Sequence, residues 1–245
     1  MRVRRFCTEA MAAVYAATLV ENVIVQKTSP VLGLATGATP KTLYRQLIDF
    51  HRQGLSFAQV ITINLDEYVG LAKDNPNSYS AFMHRELYDQ IDIDLDHAHM
   101  PDGTAVDLEQ ECARYDAILE AHPIDLQILG IGRNGHIGFN EPDASLRRRT
   151  HVVTLSDETR VANSRFFEDK NGVPRQAITM GLESILRAKF IILLAFGREK
   201  AHAVRSAVAG DISTKVPASF LQMHPNVTFV LDDAAASLIG RNATV

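Results

Sequence analysis

Seven short apolar runs mark out the chain: PVLGLATG (30–37), QVITINLDEY (59–68), IDLQILGIG (124–132), THVVTLS (150–156), RQAITMG (175–181), KFIILLAFG (189–197) and NVTFVLDD (226–233). They are rich in Val, Ile and Leu and are bounded by turn residues, the pattern of strands buried on both faces in a mostly parallel sheet. Helical patterns alternate with them. Near the start, Met11, Val14, Tyr15, Leu19, Val20 and Val23 recur at helical spacing and predict an amphipathic first helix with those side chains inward. MRVRR followed by an apolar run has the outline of a secretory leader, but Glu9 and Glu21 interrupt it, and no other stretch is long enough to span a membrane. The alternation predicts an α/β fold built on a doubly wound, mostly parallel sheet with helices on both faces. No repeat, low-complexity tract or long linker divides it, so one domain over 1–245 is expected, with the irregular stretches 69–79 and 170–175 as mobile loops.

Composition leaves that picture alone and narrows the partner. With 245 residues, 46% of them hydrophobic, the chain can bury a sizeable core. A net charge of −4 provides no global positive field for nucleic acid or an anionic membrane, so a small molecule is expected. Cys7 and Cys112 lie too far apart for a CxxC site and form no disulfide framework; packing thiols in a reducing, cytoplasmic setting are expected.

Three predicted strand ends carry unusual chemistry, and ligands of open α/β sheets bind at the carboxyl ends of strands. In LGLATGATPKTLY, Gly33 and Gly37 permit close backbone approach, Thr39 is placed to cap a helix and Pro40 suits its first position, a combination that makes an anion site of a helix N-terminus. An ordinary βα turn fits these residues equally. In INLDEYVG, Asp66 and Glu67 follow a strand directly, delivering adjacent carboxylates to the sheet rim, as a base or as a capping residue beside a solvated one. In GIGRNGHIGFNEP, Gly130, Gly132, Gly135 and Gly138 allow a tight loop, while His136 and Glu141 supply an imidazole and a carboxylate to orient it. One histidine without a neighbouring His or Cys does not make a zinc site.

These segments, together with SYSAFMHREL, TRVANSRFF, ITMGLESIL, FGREKAHAV and ASFLQMHPNV, resemble the glucosamine-6-phosphate deaminases in order and spacing over nearly the whole chain. The resemblance implies a Rossmann-like fold shared with 6-phosphogluconolactonases, and conversion of glucosamine 6-phosphate and water to fructose 6-phosphate and ammonia, without cofactor or metal. It implies that His136 opens the sugar ring, with Glu141 orienting it, and that Asp66 carries a proton from C2 to C1. It assigns the phosphate to Thr36, Gly37, Ala38 and Thr39 with Arg165 and Lys200, and counts Glu67 among the substrate-binding residues. Asn134 stands where some members have an aspartate that completes a triad with the imidazole; its side-chain oxygen can still accept a hydrogen bond from His136.

Members activated by N-acetylglucosamine 6-phosphate carry a serine, arginine and lysine set after FNEP, where this chain reads Ala144, Ser145, His151 and Val153, and they have a longer C-terminal segment. An unregulated monomer is therefore expected. Residues 157–176, a helical pattern broken at Asn171-Gly172 and Pro174, are expected to form a lid or a static surface helix. Other readings are a 6-phosphogluconolactonase, in which Asp66 would be idle, a galactosamine-6-phosphate deaminase, and a sugar-phosphate sensor, though no basic helix-turn-helix extension is visible.

Overall fold

The computed structural model describes residues 1–156, 159–161, 167 and 172–240. Its core is a seven-stranded sheet in the order β1-β10-β9-β6-β2-β3-β5, in which every neighbouring pair is parallel. The strands are β1 (Arg2–Phe6), β2 (Val31–Leu34), β3 (Ile61–Asn64), β5 (Ala98–His99), β6 (Leu126–Leu129), β9 (Phe190–Ala195) and β10 (Val227–Asp232). The central strands β2, β3 and β6 are buried at every position, as a sheet covered on both faces requires. The chain leaves β2 for β3 on one side and later returns to β6 on the other. The crevice beyond the carboxyl ends of β2 and β6 is thus a topological switch point.

Not every apolar run joins this sheet. THVVTLS and RQAITMG supply β7 (His151–Thr154) and β8 (Gln176–Thr179) of a separate antiparallel sheet, completed by β4 (Asp66–Tyr68) in the order β4-β8-β7. QVITINLDEY is therefore two strands: the Leu65 amide still bonds to Leu34 O at 3.0 Å in the parallel sheet, and Asp66 pairs with Thr179 in the other. Run length alone does not register that change of partner. β1 also escapes the sequence reading, because alternating Arg and Val at an exposed edge carries little apolar signal.

The first helix, α1 (Glu9–Gln26), starts at Thr8, whose hydroxyl accepts from the Met11 amide at 3.3 Å. Of the side chains expected inward, Val20 is buried and Tyr15, Leu19 and Val23 pack half-buried against the core, but the centre of the buried face is alanine. Ala12, Ala13, Ala16, Ala17, Val20 and Ile24 are buried, whereas Met11 and Val14 are 53% and 44% exposed. An alanine face lets α1 close on α2 (Lys41–Arg52) and β10, and the larger side chains fall beside or outside that contact. Cys112 is a buried thiol as expected, but Cys7 is exposed. No helix among the described residues is long and apolar enough to cross a membrane.

A second apolar cluster, Tyr68, Phe139, Leu155 and Ala177, joins the small sheet to the loop after β6. Ala16→Leu should overpack the α1 face and cost about 1–3 kcal/mol in chemical denaturation, whereas Met11→Ala should change stability by less than about 0.5 kcal/mol. The reverse ranking would restore the face predicted from spacing.

Candidate active site

A cleft of about 400 Å³ opens at the switch point. Four strand ends line it: residues 35–39 after β2, 65–66 after β3, 130–134 with His136 and Gly138 after β6, and Phe196, Glu199 and Lys200 after β9. Thr36, Gly37, Ala38 and Thr39 form one wall. Thr39 is not the helix cap that the sequence suggests. Pro40 occupies that position, and no side chain caps α2, so the positive end of its dipole keeps no side-chain acceptor.

The two adjacent carboxylates diverge because successive strand residues face opposite ways. Asp66 lines the cleft and is 5% exposed. Glu67 does not line it, contrary to the substrate role given it from sequence. Its Oε1 accepts from the Tyr68 and Tyr79 amides at 2.8 and 2.9 Å, and its Oε2 from Ser80 N at 2.8 Å. Glu67 thereby ties β4 to the start of α3 (Tyr79–Glu86).

In the loop after β6, Gly132 and Gly138 have specific reasons to lack a side chain. A Cβ on Gly132 would lie 2.2 Å from His136 Cε1, so only glycine lets the imidazole rest against this backbone. Gly138 has φ +57°, and its bare Cα faces Asp66, whose Oδ2 would be 3.5 Å from a Cβ there. Gly130 has neither constraint: nothing crowds it and its φ is not positive.

His136 Nδ1 lies 2.7 Å from Asn134 Oδ1, and Asn134 Nδ2 donates to Glu141 Oε2 at 2.7 Å. Glu141 Oε2 is itself 3.4 Å from Nδ1, and Glu141 Oε1 accepts from the Thr159 hydroxyl. A carboxylate only accepts, so Asn134 must turn its NH₂ to Glu141 and its oxygen to His136. Nδ1 then carries the proton, and in the neutral ring Nε2 is left as the base. Asn134 is thus the nearer orienting partner, and Glu141 acts largely through it.

Lys200 also lines the cleft, its Nζ donating to Ile131 O at 2.8 Å. Arg165 and most of the expected lid lie outside the described residues. Ala144, Ser145, His151 and Val153 do not line the cleft. Sequence reasoning missed Tyr79, Arg133, Thr159 and Glu199, which do. Tyr79 follows the Ser78 cap in SYSAFMHREL, and Thr159 opens TRVANSRFF, so motif membership was the available signal. Among the described residues no group of three or more His, Cys, Asp or Glu is arranged to hold a metal.

Residues 7–230 match the family described as glucosamine-6-phosphate isomerases/6-phosphogluconolactonase. A glucosamine-6-phosphate deaminase of Thermoanaerobacter pseudethanolicus is 53% identical over 226 residues, covering 91% of this chain and 89% of the relative. The chain belongs to the glucosamine-6-phosphate deaminase family. A solved monomeric glucosamine-6-phosphate deaminase superposes with a TM-score of 0.95 at 47% identity, over 97% of this chain and all of the other (100%). The 6-phosphogluconolactonase of Leishmania guyanensis shares the fold, with a TM-score of 0.78 at 21% identity over 98% of each chain.

The electrostatics of this deaminase-family cleft separate its carboxylates. Burial, reinforced by the charge of Glu67, pushes Asp66 from its ordinary 3.8 up to about 8. Burial also opposes ionisation of Glu141, but His136, Thr159 and Asn134 outweigh it and hold that carboxyl at about 2. Between 3.8 and about 8 the folded protein keeps a proton on Asp66 that the unfolded chain releases, so this group's contribution falls as pH rises through that window. The loss is at most about 1.4 kcal/mol per pH unit. Asp66→Asn should therefore gain in thermal stability relative to the parent protein, and more so near pH 8 than near pH 5. A stability difference independent of pH would contradict the buried, protonated carboxyl.

Proposed function

We propose that this protein converts glucosamine 6-phosphate and water to fructose 6-phosphate and ammonia. The observation that carries the reading is the pairing, in one cleft, of a buried carboxylate with raised basicity and an imidazole whose Nε2 is left open. A lactone hydrolase has no need of a second base at C2. The close relatives named glucosamine-6-phosphate deaminases support the same choice.

In this reading the phosphate sits on the turn of Thr36, Gly37, Ala38 and Thr39, against the uncapped start of α2, with Lys200 and Arg165 closing on it. His136 Nε2 takes the proton of the anomeric hydroxyl and returns it to the ring oxygen, opening the pyranose, while Asn134 and Glu141 hold the ring and stabilise the transient imidazolium. Asp66, ionised when the substrate's amine is bound beside it, takes the C2 proton to give a cis-enolamine and delivers it to C1. The resulting ketimine adds water at C2 and expels ammonia. One carboxylate on one face of the sugar serves both transfers.

Thr159 stands at the beginning of residues 157–176, the proposed lid, and its bond to Glu141 links that segment to the imidazole. We further propose a cytoplasmic, monomeric enzyme of amino-sugar breakdown without an allosteric effector, since Ala144, His151 and Val153 lack the arginine and lysine chemistry of effector-binding members. The solved relative described as monomeric supports the monomeric state.

Purified protein should release ammonia from glucosamine 6-phosphate with hyperbolic kinetics that N-acetylglucosamine 6-phosphate leaves unchanged. Galactosamine 6-phosphate and 6-phosphogluconolactone, assayed in parallel, should be poor substrates; efficient turnover of either would redirect the assignment. Asp66→Asn should lose at least about 10²-fold in kcat with KM little altered, and should no longer incorporate solvent deuterium into the sugar. For the parent enzyme, kcat/KM should climb between about pH 6 and pH 8 as Asp66 ionises, and a flat profile would argue against a buried base.

A further inference from the structure

We propose that Arg133 binds the substrate's phosphate from the loop side of the cleft, beside Lys200, an inference that rests on the sugar-phosphate reading above. Arg133 lines the cleft between Gly132 and Asn134. Its backbone is held on both sides. Gly132 N donates to His136 O at 2.9 Å, Gly135 N to Gly132 O at 3.1 Å, and Ala218 N to Gly135 O at 2.9 Å. The guanidinium, by contrast, is exposed and makes no hydrogen bond or ion pair with any described residue.

Two other carboxylates line the same cleft, and neither takes the guanidinium. Glu9 accepts from the Thr42 hydroxyl, and Glu199 folds back over Gly197, its Oε2 2.5 Å from where a Cβ would stand. Meanwhile Lys200 is anchored on Ile131 O, two residues before Arg133, which sets its ammonium against this same loop. The wall of Thr36 to Thr39 and the uncapped α2 N-terminus complete the surround. A dianion lodged there would meet main-chain donors on one side and two cations on the other, and a planar guanidinium can engage two of its oxygens at once. An arginine held only by its backbone gives up side-chain entropy on binding, which sets the net gain well below that of a pre-ordered pair.

The test measures inorganic phosphate binding by calorimetry, and steady-state kinetics with glucosamine 6-phosphate, for the parent protein, Arg133→Ala, Arg133→Gln and Arg133→Lys. Removing the guanidinium should weaken phosphate binding and raise KM by about tenfold each, with a smaller change in kcat. Arg133→Lys should recover part of both, and added salt should weaken the parent more steeply than Arg133→Ala. Parent-like phosphate affinity and KM in both Arg133→Ala and Arg133→Gln would overturn the proposal and leave Arg133 a solvated charge. If the parent releases no ammonia but its phosphate binding still depends on Arg133, the deamination reading falls and this assignment stands. If ammonia is released and Arg133 proves indifferent, the reverse holds.

Discussion

The site depends on a constraint imposed at one residue. Leu65 is fixed from two directions: its amide bonds to Leu34 O in the parallel sheet, and its carbonyl accepts from Met180 N at 2.8 Å beside the antiparallel one. Asp66 is the next residue and has no freedom to move toward water. It becomes a strand residue of the second sheet, opposite Thr179, with one face toward the cleft. Burial there raises the basicity of its carboxylate, and the same burial costs stability at neutral pH.

Glu67 shows how the protein tolerates a second carboxylate next door. It also ionises above its ordinary range, because burial outweighs the three amides it accepts from. Those amides nevertheless give it a defined place, at the N-terminus of α3, where a negative charge suits the helix dipole. Its charge is then a fixed feature of the Asp66 environment, the second cause of the raised pKa after burial. Adjacent residues of one strand thus divide the work: one faces the cleft and the other fastens the scaffold.

The imidazole is set by a different device. Its loop is shaped by glycine, its Nδ1 by Asn134, and the only formal charge of the chain of bonds is displaced one group further, to Glu141. An amide between ring and carboxylate fixes the tautomer without placing a full negative charge on the ring's nearest hydrogen bond. Phe139 of the same loop packs against Tyr68 and Tyr79, with the Tyr79 and Phe139 rings stacked at 6.0 Å and 8°.

Much of this was legible in the chain. Apolar runs, glycines and the residues at strand ends are local signals, so the parallel sheet, the loop after β6, and the gathering of Asp66, His136, Thr36 and Lys200 at strand ends followed from sequence and family resemblance. What was not legible depended on segments far apart in the chain. The alanine face of α1 is defined by α2 and β10, and the split of QVITINLDEY by strand β8, more than a hundred residues on. Two of the three amides that claim Glu67 belong to a helix start twelve and thirteen residues later. The sequence determined which chemical groups this protein has and on which ends of which elements they sit, because backbone preference and hydrophobic period are properties of neighbours. Only the tertiary structure decided which carboxylate meets the cleft, which nitrogen of His136 is held by Asn134 and which cation keeps an open side chain, because burial and hydrogen-bond partners are set by residues that meet only in the folded chain.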